Sequence, residues 1–166
     1  MTPHEAQRRA CLSTWGLGLL TLAGCATPRL KPTNTSAFWS GRLALQLHGT
    51  PPQSWGASFE LQGSAEQGEM TLFSPIGTTW ASLRWTPQSA LLEQGKDKTE
   101  SSNLQSLSQR LTGADLPIAA LFAWLAGKSS DAPGWQVDLS EHAEGRVTAR
   151  TIARVPDAVL RILLDR

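Results

Sequence analysis

Apolar and polar positions alternate along much of this chain, and the alternation becomes regular at Trp39. Leu43, Leu45 and Leu47 fall on one side with Arg42, Ala44 and Gln46 on the other, the period-2 signature of a half-buried strand. Gly49-Thr50-Pro51-Pro52 ends it. A second strand is predicted from Ser54 to Gln62, placing Trp55, Ala57, Phe59 and Leu61 together against Ser58, Glu60 and Gln62. Gly63 to Gly68 then reads as a hairpin connection. Two more strands follow at Glu69 to Phe73 and Thr78 to Trp85, separated by Ser74-Pro75-Ile76-Gly77, and a short one is expected around Ala90 to Gln94. Antiparallel neighbours on short loops imply a meander with one face on a core and the other in solvent.

After this the period changes. Leu104, Leu107 and Leu111 recur at helical spacing behind Ser101 and Ser102 as candidate caps, and Gly113 ends the helix. Pro117 opens a second apolar stretch, Ile118 to Ala126, before Gly127. Trp135 to Leu139, Arg146 to Ile152 and Val159 to Leu164 return to strand character. Strands, then two helices, then strands suit an α+β domain whose helices cover one opening of a strongly curved sheet.

The first 25 residues follow different rules. Arg8 and Arg9 precede an apolar run from Leu12 to Leu22, which is the layout of a signal peptide and too short for a membrane span. Leu22-Ala23-Gly24-Cys25 resembles the bacterial lipobox, in which cleavage before the cysteine leaves a lipid-modified Cys25 at the new N-terminus. A thiolate suits that role because it is a far better nucleophile than a hydroxyl. Ala26 rather than Asp after the cysteine points to the outer membrane. The expected organisation is a signal peptide at 1–24, a lipidated N-terminus and flexible proline-bearing tether at 25–37, and one folded domain at 38–166.

Composition narrows the possible functions. The net charge of the 166-residue chain is +1, and loss of Arg8, Arg9 and Glu5 with the signal peptide leaves the remainder close to neutral. Lys and Arg are scattered, which argues against a nucleic-acid partner. Cys11 and Cys25 are the two cysteines, so neither a disulfide within the mature chain nor a cysteine-based metal site is expected. His48 and His142 sit in no metal-binding or acid/base pattern, and no nucleophile elbow or phosphate-binding loop is visible. Ser74 beside Pro75 belongs to a turn. An enzyme is therefore not expected, nor a metal or cofactor. Large apolar side chains stand out instead, with seven tryptophans and four phenylalanines. They either fill a core or line a cavity for acyl chains.

Ile76 is the exception to ordinary turn chemistry, which calls for a polar residue there. Pro75 and Gly77 provide for a tight return that presents Ile76 at a stiff tip, unless the side chain is buried.

The lipobox is followed in order by Trp39-Ser40-Gly41-Arg42-Leu43-Ala44-Leu45, Phe59-Glu60-Leu61, Gly68-Glu69-Met70-Thr71-Leu72 and Ser74-Pro75-Ile76-Gly77-Thr78-Thr79. Leu116-Pro117, Leu121 to Gly127, Gly134-Trp135 and Leu160-Arg161-Ile162 continue the series. Together they resemble the LolB family of outer-membrane lipoprotein receptors, over essentially the whole stretch from Leu22 to Leu164. The resemblance implies an unclosed, strongly curved antiparallel β-barrel with a helical lid over a hydrophobic cavity. It also implies a receptor that accepts lipoproteins from a LolA-like periplasmic carrier and inserts them into the outer membrane, facing the periplasm. Its partners would be that carrier, the acyl chains of its clients and outer-membrane lipid. A monomer is expected.

The period-2 and helical spacings assign Leu43, Leu45, Phe59, Leu61, Met70, Leu72, Leu83 and Trp85 to the concave face and Leu107, Leu111, Leu121, Phe122 and Leu125 to the lid. The resemblance gives Pro75, Ile76 and Gly77 a role in membrane insertion. One departure is that Ala26 to Ser36 is too short and proline-rich for the helix that often precedes the family's first strand. The competing readings are a lipid-anchored module for another amphiphile and a structural lipoprotein with a filled core.

Overall fold

The computed structural model describes residues 37–152 and 157–165. The signal peptide, Cys25, the tether and any helix preceding the first strand fall outside those residues. Six strands come first: β1 (Ala37–His48), β2 (Gln53–Gly63), β3 (Gly68–Phe73), β4 (Thr79–Trp85), β5 (Ala90–Gln94) and β6 (Asp97–Ser101). Two helices follow, α1 (Leu104–Thr112) and α2 (Ile118–Leu125), and then β7 (Trp135–Asp138), β8 (Arg146–Thr151) and β9 (Asp157–Leu164). All nine strands form one antiparallel sheet in the order β6-β5-β4-β3-β2-β1-β9-β8-β7. The chain therefore lays down a meander outward from β1, crosses the sheet with its helices, and returns to add a second meander on the free edge of β1. Among the described residues β6 and β7 do not pair with each other, so the barrel is unclosed.

Alternation decides which face is covered. Leu43, Leu45 and Leu47 of β1 are buried while Arg42, Ala44 and Gln46 are exposed, and Ala57, Phe59 and Leu61 of β2 alternate in the same way. Register carries that face across the sheet, pairing Leu43 with Ala57 and with Ile162, and Leu61 with Met70. Gly41 pairs with the end of β9, where a Cβ would clash with the Leu163 carbonyl oxygen.

The helices close over this face. Leu107 and Leu111 of α1, and Ile118, Leu121, Trp124 and Leu125 of α2, join the strand residues in one hydrophobic core. Three expectations are corrected. The cap of α1 is Asn103, whose side chain accepts from the N–H groups of Gln105 and Ser106, while Ser101 Oγ accepts from the Asn103 N–H one turn earlier. Ser102 makes no cap. Second, β6 was not anticipated, because Asp-Lys-Thr-Glu-Ser has no apolar alternation and owes its strand state to pairing with β5. Third, α2 ends at Leu125, one residue before the expected Ala126. Gly113 takes the left-handed conformation (φ 78°) as the helix C-cap, as its position suggested.

Candidate functional site

The hairpin between β3 and β4 is built by local bonds. The Gly77 N–H donates to the Ser74 carbonyl (2.9 Å), the Ser74 N–H donates to the Thr78 carbonyl (2.9 Å), and the Ser74 and Thr78 hydroxyls meet at 2.8 Å. Gly77 has φ 80°, the left-handed position that three-residue hairpin loops fill with glycine. With both polar ends tied and Pro75 fixing its own φ, the turn leaves Ile76 at its tip, 86% exposed. Phe38, Ile152 and Leu163 are also exposed large apolar residues, but all three lie in or beside strands.

Behind the hairpin, sheet and helices enclose a small apolar space. Its walls come from Leu43, Trp55, Met70, Leu72, Leu83, Leu160 and Ile162 on the strands, and from Ser108, Leu111, Thr112, Leu116, Ile118 and Leu121 around the helices. Ser108 and Thr112 spend their hydroxyls on backbone carbonyls, Ser108 on Gln105 (2.8 Å) and Thr112 on Ser108 (2.8 Å) and Ala114 (2.9 Å). They therefore add little polarity to the wall. The space admits only roughly one water molecule.

The residues expected to line a cavity divide into two sets. Leu43, Met70, Leu72, Leu83, Leu111 and Leu121 border the space, whereas Leu45, Phe59, Leu61, Trp85, Leu107 and Leu125 are buried in the core around it. Phe122 is half-buried and meets the edges of Trp39 (5.6 Å) and Trp85 (6.0 Å). Trp55, Leu116, Ile118, Leu160 and Ile162 were missing from the expected lining. The signal for Trp55 was present, since it shares the period-2 face of Phe59 and Leu61. Leu160 and Ile162 reach the space only because β9 pairs with β1, a contact between the two ends of the domain.

Remaining candidates for chemistry have structural roles. His142 Nε2 lies 3.0 Å from the Leu125 carbonyl and covers the end of α2, and His48 faces Asp157 on the surface at 3.8 Å. Among the described residues no group of three His, Cys, Asp or Glu side chains is placed to hold a metal ion.

A curved open sheet with this hairpin and lid has relatives. The family model described as "Outer membrane lipoprotein LolB" matches residues 38–154, most of the folded domain. The chain belongs to the LolB family. Its relatives include the outer-membrane lipoprotein LolB of Shewanella sp. strain MR-4, 36% identical over 125 residues that make up 67% of this chain and 56% of that protein. The LolB of Shewanella baltica strain OS155 is 34% identical over 150 residues, 83% of this chain and 67% of that protein. That of Shewanella oneidensis is 35% identical over 123 residues. The chain thus spans little more than half the length of the first of these relatives. Within the LolB family match lie both the exposed hairpin and most of the residues that border the apolar space.

Proposed function

We propose that this chain is a lipid-anchored outer-membrane receptor, which takes lipoproteins from a LolA-like periplasmic carrier and inserts them into the outer membrane. The observation that carries the reading is Ile76, an isolated aliphatic side chain held out by a stiff turn beside a sheet-and-helix interior walled by apolar residues. A lone exposed aliphatic side chain is common on protein surfaces, but a turn tip favours a polar residue, and a bilayer would receive the one that stands there instead. Burial of a side chain of this size contributes roughly 1.5 to 3 kcal/mol, enough to bias a handover and too little to anchor the protein. Anchoring belongs to the lipid on Cys25, where each buried CH₂ contributes about 0.8 kcal/mol. Client acyl chains enter between the sheet and α1 and α2, and transfer needs only a receiver that binds them more favourably than the donor does. No nucleotide or cofactor is called for.

The small enclosed space favours a second reading, a structural lipoprotein with a filled core. A transfer assay separates the two. Purified protein is mixed with carrier loaded with a lipoprotein, and then with liposomes. A receptor takes up the client and passes it on, and Ile76→Glu takes it up but fails to release it into the bilayer. If the wild type takes up nothing, the receptor reading falls. If Ile76→Glu delivers at the wild-type rate, the role given to the hairpin falls.

A further inference from the structure

Trp55 touches both parts of the proposed machinery. Its ring is half-buried on the inner face of β2 and is the largest side chain bordering the apolar space. Its indole N–H donates to the Thr112 carbonyl at 3.3 Å, tying the last residue of α1 to the sheet through a bond just longer than the usual range. The same ring packs edge-on against Trp80, with centroids 5.4 Å apart and planes at 60°. Trp80 follows directly on the pair that closes the hairpin, Phe73 with Thr79. The next pair is Leu72 with Ala81, so Trp80 is the extra residue of a β-bulge. A bulge re-aims a side chain, and here it turns a residue of otherwise outward parity toward Trp55.

We propose that Trp55 is the gate of the acyl-chain space, and that Trp80 couples it to the hairpin that carries Ile76. The inference rests on the receptor reading and adds to it how the site is opened. The closed state is the one described: Trp55 holds α1 down, and the enclosed space takes roughly one water molecule, far less than an acyl chain needs. Entry or exit of a chain requires the C-terminal end of α1 to lift from β2, and the weak Trp55–Thr112 bond is the polar contact that breaks at that end, while the other end stays tied to β6 through the Ser101 and Ser106 hydroxyls. When Ile76 enters a bilayer, the short stiff hairpin shifts at its base, and the first ring it displaces is Trp80. Trp55 then loses the edge that packs against it, and the open state becomes more accessible at the membrane than in the periplasm. Release is thereby confined to the place where the cargo has somewhere to go.

The test uses the mature chain from Ala26 onward, exported behind a cleavable signal peptide that has no lipobox, so that no attached lipid intervenes. It is loaded with 11-(dansylamino)undecanoic acid, and release is followed by dansyl fluorescence into buffer containing albumin and into vesicles of phosphatidylethanolamine and phosphatidylglycerol. Wild type is expected to release faster to vesicles than to albumin. Trp55→Phe keeps a ring and loses the donor, so release to albumin should rise roughly three- to tenfold, the rate equivalent of one neutral hydrogen bond, and the vesicle advantage should shrink. Trp80→Leu removes the edge that packs against Trp55, so release to albumin should rise toward the vesicle rate and the vesicle advantage should vanish, while a cooperative melting transition is retained, a pattern that loss of fold would not produce. Wild-type behaviour of both variants overturns the gate and leaves the receptor reading standing. Failure of the wild type to bind the probe overturns both.

Discussion

Four buried or half-buried indoles show how unequal single residues of one type can be. Trp55, Trp85 and Trp135 each donate to a backbone carbonyl, of Thr112, Ser64 and Asp115 respectively. Trp124 is 0% exposed, and its Nε1–H has no partner among the described residues. A buried donor left unpaired costs about 1 to 3 kcal/mol, a cost that replacement by phenylalanine removes together with the ring volume. Trp124→Phe is therefore expected to lower thermal stability less than Trp135→Phe, which breaks a 2.9 Å bond; calorimetry of the two variants decides it, and the reverse order would contradict the argument. Ile76→Glu should leave the melting temperature unchanged within the ~0.5 kcal/mol typical of surface substitutions, since its side chain touches little but solvent. The exposure of Ile76 was legible in the sequence because Pro75 and Gly77 act on their own backbone. The Trp55–Trp80 contact was not, because it depends on a register shift between two strands.

Elements differ in how much of their stability is local. The first turn of α1 is held by Asn103, so Asn103→Ala should cost about 1 kcal/mol, whereas Ser102→Ala should cost almost nothing. Chemical denaturation of the pair checks the corrected cap. At the sheet edge, β6 has few apolar contacts to hold it, and Glu93 on β5 joins Lys98 of β6 (2.6 Å) and Arg84 of β4. The hydrogen bond from Lys98, aided by Arg84 and opposed by partial burial, holds the Glu93 carboxyl below the usual range. A carboxylate whose pKa is depressed in the folded state contributes stability above its unfolded value, about 4.3, and loses it as pH falls through the lower folded value. Glu93→Gln should thus be less stable than wild type at neutral pH by at most about 1 kcal/mol, as expected for a surface pair, with the gap closing in acid below about pH 4. A gap that persisted at pH 2 would point to packing rather than charge. The sequence could not reveal β6, because its residues are charged and its strand state is imposed by a neighbour.

For the molecule as a whole, the sheet is assembled from two meanders that meet at β1 and β9, so its continuity depends on contacts spanning more than a hundred residues. If the proposed anchor is right, mass spectrometry of membrane-extracted protein is expected to find a chain beginning at lipid-modified Cys25; an unmodified N-terminus elsewhere would remove the anchor from the proposed function. Local pattern alone was enough for the alternating strands, the two helices, the Gly113 stop and the exposed hairpin tip, because pleat, helical pitch and turn geometry act over a few residues. The order of motifs was enough for the family. Tertiary structure alone decided that β9 lies beside β1, that the charged β6 is a strand, and which apolar residues border the space rather than fill the core around it. Those outcomes depend on register and on how two helices settle over a curved sheet, and neither is encoded in the spacing of any one segment.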